Sequence, residues 1–433
     1  MKYYSTNRQA PEADLRKAVV QGLAEDRGLY MPERIDPLPR EFLDGMPGMD
    51  FRAIACRVAD AFFGEDIPAD ELHRIVEETL SFDCPVVPVE EGIFALELFH
   101  GPTLAFKDVG ARFMARMLRH FLQREGAEVV DVLVATSGDT GSAVANGFLG
   151  VEGIRVHVLY PKGKVSPIQE CQFTTLGQNV TALEIDGTFD DCQALVKNAF
   201  MDAELGGRLH LTSANSINVA RFLPQSFYYF WAYAQLRAAG VRDDIVVCVP
   251  SGNFGNLCSA LIGARMGLPV SRFIAANNRN DVFYQYLRTG VYTPRPSVQT
   301  LANAMDVGDP SNFARILDLY GGDWRRIVSH ISGAVVTDEE IRGTVADCVR
   351  RTGYLLDPHG ACAYRALRDG LRPGETGVFC ETAHPAKFKD AVEAMTGTAV
   401  IVPRRLAQFM QGTKQSVPLG ADYRDFKEYL LKL

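Results

Sequence analysis

Five short segments carry residue types that could do chemistry. Residues 99–108, Phe-His-Gly-Pro-Thr-Leu-Ala-Phe-Lys-Asp, place Lys107 after a Gly-Pro turn, at the start of a predicted helix running through Arg116. A lysine in apolar surroundings at a helix N-terminus has its charged form disfavoured, and the neutral amine can attack a carbonyl to form an imine. The bland alternative for Lys107 is a snorkelling surface side chain. Residues 135–142 (Ala-Thr-Ser-Gly-Asp-Thr-Gly-Ser) and 250–256 (Pro-Ser-Gly-Asn-Phe-Gly-Asn) are glycine-bearing turns, each read as leaving a strand and entering a helix. Such a turn can aim successive N–H groups into one cavity, with the positive end of the helix behind them, so each is a candidate anion cradle. Neither is a Walker loop or a G-x-G-x-x-G fingerprint. Either alone could be a plain strand-to-helix turn; two in one chain suit a ligand with two anionic groups.

Residues 380–388 (Cys-Glu-Thr-Ala-His-Pro-Ala-Lys-Phe) offer Thr382, a helix cap or a hydroxyl for a ligand, and His384, a candidate base or a structural histidine. Residues 213–221 gather Asn215, Ser216 and Arg221 at a helix start. Amide, hydroxyl and guanidinium together suit a tetrahedral or planar anion, with helix capping as the competing reading.

Strands must hold these segments. Short β-branched runs at 129–135, 154–160, 180–185, 209–212, 245–249, 272–276, 377–380 and 399–402 read as strands. Helical spacing appears between most of them, at 189–200, 219–239, 257–266 and 338–351. Such alternation predicts an α/β protein with a parallel sheet covered by helices on both faces. Ligands of such folds sit beyond the carboxyl ends of the strands. Residues 1–88 read as a helix-rich N-terminal region, with helical spacing at 15–23 and 51–63. The remainder divides into a large domain (89–125 and 225–433) and a smaller, mobile one (126–224). The stretch 281–313, rich in Pro, Asn and Asp, reads as a long loop or an insertion near an active-site mouth, or equally as solvent-exposed packing.

The chain has 433 residues, long enough for two or three domains. Lys and Arg number 45 against 53 Asp and Glu, a net charge of −8. That balance disfavours general nucleic-acid binding, because no excess cation is present to neutralise phosphates. No apolar run approaches the roughly 20 residues that span a bilayer, so no membrane partner is expected, and the opening residues lack the apolar stretch of a signal peptide. Nine cysteines without a Cys-x-x-Cys pair argue against a zinc site and a disulfide framework, and predict a reducing, cytoplasmic setting. No metal is expected.

Taken in this order, the five segments resemble the threonine synthase family, pyridoxal-phosphate enzymes of the tryptophan-synthase-β fold class (fold type II). The resemblance spans nearly the whole chain, including Met1-Lys2-Tyr3-Tyr4-Ser5-Thr6, Gly28-Leu29-Tyr30-Met31-Pro32, residues 160–167 and Asn303-Ala304-Met305-Asp306-Val307, and it points to the long form. It implies an α/β fold of two parallel-sheet lobes with helices on both faces, and pyridoxal 5′-phosphate as cofactor, with Lys107 forming the Schiff base. Gly252, Asn253, Phe254, Gly255 and Asn256 match the loop that holds the cofactor phosphate. Thr382 matches the hydroxyl residue at the ring nitrogen, where a neutral partner gives milder electron withdrawal than a carboxylate. Thr136, Ser137, Gly138 and Thr140 resemble the segment that holds the substrate α-carboxylate. Asn215, Ser216 and Arg221 resemble the set that grips a substrate phosphate. Asp139 falls where related enzymes often carry Asn beside the cofactor's ring oxygen. An acid beside a phenolate must be protonated, displaced or paired.

The implied reaction converts O-phospho-L-homoserine and water to L-threonine and phosphate, by loss of phosphate from Cγ and addition of water at Cβ. Lys107 would serve as general base and acid, and closure of the smaller domain would exclude stray water. The expected assembly is a monomer or homodimer. Rival readings are a serine or threonine dehydratase, a phospholyase releasing α-ketobutyrate from the same substrate, and a non-catalytic cofactor-binding relative. A dehydratase needs no second phosphate pocket, so Asn215, Ser216 and Arg221 count against it. Retention of Lys107 and Thr382 counts against a non-catalytic protein.

Overall fold

The computed structural model describes residues 1–123 and 129–433. In chain order its strands are β1 (Tyr3–Ser5), β2 (Tyr30–Pro32), β3 (Val86–Glu90), β4 (Ile93–Glu97), β5 (Val130–Ala135), β6 (Ile154–Pro161) and β7 (Val180–Asp186). They continue with β8 (His210–Ser213), β9 (Asp244–Pro250), β10 (Arg272–Asn277), β11 (Ile331–Val335), β12 (Glu375–Glu381) and β13 (Val417–Gly420). A six-stranded sheet runs β11-β10-β9-β12-β4-β3, and a five-stranded sheet runs β13-β7-β6-β5-β8. Every pairing in the two sheets is parallel except β3 with β4. All six residues of β5 are buried, as are six of the seven in β9 and in β12. Helices cover both faces, which is why these strands read as near-continuous apolar runs rather than alternating ones. The α/β class expected from the sequence is the observed one.

Strand order decides which turns meet. β9, β12 and β4 are neighbours, so the turn 251–256, Thr382 and the segment leading to Lys107 leave one sheet side by side. In the other sheet β5 lies between β6 and β8, which brings the turn after Ala135 beside Asn215 and Ser216.

The N-terminal region supports the lysine helix. In the helix Phe51–Phe63, Phe51, Ile54, Ala55, Val58, Ala59, Phe62 and Phe63 recur at helical spacing and are buried. Asp50 caps it by accepting the Ala53 N–H at 2.9 Å. The Phe63 ring packs 5.2 Å from Phe113, which lies in the helix Lys107–Gln123 that begins with the candidate lysine. Replacing the fully buried Phe63 by Ala should cost about 3–5 kcal/mol and loosen that helix. The neighbouring helix Ala69–Thr79 adds polar ties: Arg112 donates to the Thr79 carbonyl at 3.0 Å, and Arg116 to Glu78 at 3.0 Å.

Several expectations are corrected. Residues 399–402 form no strand; the Val400 N–H is taken by Glu393 instead. The helix expected over 219–239 is interrupted, because Pro224 has no N–H to continue the ladder: Val219–Phe222 and Ser226–Ala238 are separated by a 3₁₀ turn, Leu223–Gln225. The stretch 281–313 holds a helix, Val282–Thr289, and a 3₁₀ turn, Asn303–Met305. β3 begins within the region assigned to the N-terminal helices, at Val86. β13 pairs with β7, so the end of the chain joins the five-stranded sheet although the sequence boundaries put 225–433 with the large domain. The expected boundary at 125/126 lies outside the described residues.

Candidate active site

One pocket between the carboxyl ends of the two sheets gathers most of the singled-out residues. Lys107, Thr136, Ser137, Thr140, Asn215, Ser216, Arg221, Gly252, Asn253, Phe254, Gly255, Asn256 and Thr382 all line it. Gly138 and Asp139 do not.

Lys107 is the first residue of its helix. It is half-buried, and no carboxylate lies within ion-pair distance of it among the described residues. Burial pushes its pKa down to about 8; Asp139 opposes that shift, while Lys387 and Arg221 add to it. About a tenth of the amine is therefore neutral at pH 7 and about half at pH 8. A backbone link fixes Lys107 relative to Thr382: the Phe106 N–H donates to the Thr382 carbonyl at 2.9 Å, and Ala105 bridges to Ala383. Residues 276 positions apart in sequence thus share one wall.

The two glycine turns differ once built. In the second, Phe254 takes the left-handed conformation at φ 61° before the helix Gly255–Arg265. Among the described residues, no protein acceptor takes the N–H groups of Gly252, Asn253, Phe254, Gly255 or Asn256. The helix has no acid in its first turn. A Cβ at Gly252 would lie 2.7 Å from the Ala304 carbonyl oxygen and 2.8 Å from Met305 Cα, so only glycine fits. In the first turn, Thr136 Oγ1 accepts from the N–H groups of Gly138 (2.9 Å) and Gly141 (2.8 Å). Gly138 has φ 143°, a backbone that L residues avoid. The helix that follows, Asp139–Gly147, opens with an acid.

Asp139 is both displaced and paired. Its Oδ1 lies 2.6 Å from Lys387 Nζ, with 3% and 0% of the two side chains exposed, and it accepts from Gln169 Nε2 at 2.9 Å. Burial alone would raise its pKa, but the ammonium groups of Lys387 and Lys107 hold the carboxyl well below the usual carboxylate range. Removing one partner of such a pair costs about 3–5 kcal/mol, because a buried charge is left alone.

The anion-gripping set is held from several sides. Ser216 Oγ accepts from Asn253 Nδ2 (2.9 Å) and Asn312 Nδ2 (3.0 Å), so its own proton is free to be donated. Buried Arg315 donates to the Ser216 carbonyl (2.9 Å) and to the Tyr30 carbonyl (3.0 Å), tying the N-terminal strand pair to this wall. Arg221 is 1% exposed; its Nη1 donates to the Ala214 carbonyl, and its Nε has no partner in the protein. Burial pushes Arg221 down to about 10, still cationic at neutral pH. Asn215 Nδ2 is spent on the Ala135 carbonyl at 3.1 Å.

His384 resolves as structural. It caps the turn Pro385–Phe388 by accepting the Ala386 N–H at 3.1 Å, and burial pushes its pKa down to about 4. Thr382 is not the cap.

Residues that sequence reasoning did not single out also belong here. Phe189 and Gln193, from the helix Phe189–Met201, line the pocket opposite the glycine loop. Gln225 lines it beside Arg221. His359, 2% exposed, bonds Asp357 through Nδ1 and accepts the Ala304 N–H through Nε2 at 3.1 Å, which holds the turn packed against Gly252. Lys387 lay inside the quoted 380–388 segment without any signal of its contact.

These residues fit pyridoxal 5′-phosphate. The half-buried Lys107 lines the pocket, five unclaimed N–H groups and a helix start suit the phosphate of the cofactor, and the Thr382 hydroxyl offers a neutral partner for a ring nitrogen.

Comparison with known proteins agrees. Family models described as "Threonine synthase N terminus", "Pyridoxal-phosphate dependent enzyme" and "Threonine synthase, C-terminal" match residues 2–80, 81–381 and 359–430. A threonine synthase of Serratia marcescens is 44% identical over 434 residues, covering 100% of both chains. The crystal structure of the Escherichia coli threonine synthase is 45% identical and superposes with a TM-score of 0.94 over 100% of both chains. The structure of a PLP-bound threonine synthase from Brucella melitensis is 37% identical, with a TM-score of 0.92, over 99% of this chain and 98% of that one.

Proposed function

The chain belongs to the threonine synthase family of pyridoxal-phosphate-dependent enzymes, and from that premise we propose that it converts O-phospho-L-homoserine and water to L-threonine and phosphate, with Lys107 as its central residue. Pyridoxal 5′-phosphate supplies, when bound, a conjugated ring that accepts the electron pair left on deprotonating substrate carbon. The chain supplies everything else. Lys107 Nζ, with its pKa near 8, takes protons from Cα and Cβ and gives them back at Cα and Cγ, while water gives its hydroxyl to Cβ and its remaining proton to the departing phosphate. The N–H groups of Gly252, Asn253, Phe254, Gly255 and Asn256 hold the cofactor phosphate, and the Thr382 hydroxyl meets the ring nitrogen.

Ser137 and Thr140, on a turn braced by Thr136 and bent at Gly138, orient the substrate α-carboxylate. Arg221 and the Ser216 hydroxyl proton hold the phosphate that leaves from Cγ, and Asn215 shapes the wall between them. Phe189 and Gln193 cover the pocket from the segment 126–224, whose closure excludes water that would divert the product. The reading includes a cytoplasmic setting, supported by nine free cysteines.

One observation carries the reading: Lys107, with its pKa pushed down, shares a pocket with five unclaimed N–H groups and the side chain of Arg221. The test is incubation of purified holoenzyme with O-phosphohomoserine, resolving threonine, phosphate and α-ketobutyrate. Threonine and phosphate in equal amounts are expected; α-ketobutyrate as the main product overturns the reading. Lys107→Ala should lose the visible absorbance of the bound cofactor and at least about 10³-fold in turnover.

A further inference from the structure

Asp139 and Lys387 come from different sheets. Asp139 opens the helix after β5, and Lys387 lies in the 3₁₀ turn after β12. Their contact of 2.6 Å is fully enclosed. Each partner is also tied to a segment of the pocket. Gln169, at the start of the helix Pro167–Thr174, donates to Asp139 at 2.9 Å and packs against Gly138, where a Cβ would meet its amide at 2.6 Å. Lys387 Nζ donates a second bond, 2.9 Å, to the Thr103 carbonyl. Thr103 lies in the turn before Lys107, and its hydroxyl and N–H both donate to Asp108. Ser166 Oγ donates to the Lys387 carbonyl at 3.1 Å. One ammonium therefore joins the turn 136–142 to the turn that presents Lys107.

The charges acting on Lys107 come from four elements: Asp139 from the helix after β5, Lys387 from the 3₁₀ turn, Arg221 from the helix Val219–Phe222 and Asp357 from the start of the helix Pro358–Gly370. Two are cations and two are anions. Asp357 is engaged with His359, and Lys387 is the ammonium in contact with Asp139.

We propose that Lys387 is a positioning residue for the reaction: it locks Asp139 into a neutral pair behind Lys107, fixes the 136–142 turn against the turn before Lys107, and keeps that carboxylate off the ring oxygen of the bound cofactor. The inference rests on the role of Lys107 proposed above. Removing Lys387 leaves a buried anion near the protonated linkage between Lys107 and the cofactor, and that anion favours the protonated form. Removing both charges restores the balance.

The test is a pH titration of the cofactor's visible absorbance in holoenzymes of wild type, Lys387→Met, Asp139→Asn and the double variant. Lys387→Met should raise the midpoint by about one pH unit or more, Asp139→Asn should lower it, and the double variant should return to within about 0.3 unit of wild type. A purely packing role would disturb folding without this opposite-sign, mutually cancelling pattern. An unshifted midpoint in Lys387→Met, or a double variant that keeps the shift of either single one, overturns the proposal. If Lys387→Met does not fold, Asp139→Asn decides alone, and an unshifted or raised midpoint overturns it. A visible band that survives in the Lys107→Ala variant would instead overturn the reading at Lys107; a normal wild-type band with an unshifted Lys387→Met removes Lys387 only.

Discussion

The turn 136–142 and the turn 251–256 share an origin. Each leaves the carboxyl end of an inner parallel strand, carries two glycines and enters a helix. Their chemistry is nevertheless different. The second keeps five successive N–H groups unclaimed and has no acid in the helix that follows. The first spends two N–H groups on Thr136 Oγ1 and places Asp139 at the helix start, its charge met by Lys387. A helix N-terminus attracts negative charge whether it comes from a ligand or from the chain's own carboxylate. The second turn is open to a strongly charged phosphate. The first has satisfied much of its own positive potential and suits a weaker anion, such as a carboxylate, held by the remaining N–H and hydroxyl groups. A glycine-bearing turn thus states where an anion can sit; the neighbouring side chains set how much charge it accepts.

The comparison breaks most sharply if the second turn is given the acid of the first. Asn253→Asp adds a charge where the N–H groups converge and removes the amide that donates to Ser216. It should weaken cofactor binding by about 100-fold or more, read as the equilibrium constant from fluorescence titration of apoprotein. Unchanged affinity would mean that the turn does not hold the cofactor phosphate. A smaller effect is expected in the first turn. Thr136→Val removes the acceptor of two N–H groups and should raise KM for the phosphorylated substrate about 10-fold, with cofactor affinity within about 3-fold of wild type. Equal losses in both constants would erase the distinction between the turns. The smallest effect concerns the lysine between them. With its pKa near 8, neutral Lys107 rises from about a tenth of the population at pH 7 to about a half at pH 8. The rate of cofactor uptake by apoprotein should climb about 5-fold over that interval and level off above pH 9. A flat profile would show that protonation of this amine does not limit uptake.

Much of this was legible in the chain. Short apolar runs separated by helical spacing gave the parallel sheets, because strands buried on both faces must be apolar throughout. Lys107, the 252–256 turn, Thr382 and Arg221 were singled out by the resemblance of their combined motifs; taken locally, Lys107 also read as a snorkelling side chain, Thr382 as a cap and each turn as a plain strand-to-helix link. Residues whose role depends on a distant partner were not legible. His359 reads as an ordinary helix residue until the Ala304 N–H is seen against its Nε2. Phe189 and Gln193 read as one face of a helix until the five-stranded sheet carries that helix over the pocket. Arg315 reads as a surface cation until it is found buried against the carbonyls of Ser216, Ile217 and Tyr30.

The same division holds for the chain as a whole. The sequence alone determined the α/β class and the local cradles, since periodicity, turn chemistry and helix starts depend on residues within a few positions of one another, and the resemblance of its combined motifs pointed to the family. Tertiary structure decided the charge state of the site. Asp139 and Lys387 are 248 positions apart, and only the juxtaposition of the carboxyl ends of β5 and β12 converts two costly buried charges into one neutral pair beside Lys107. Coulomb energy depends on separation in space and on exclusion of water, and neither is written in the order of residues along the chain.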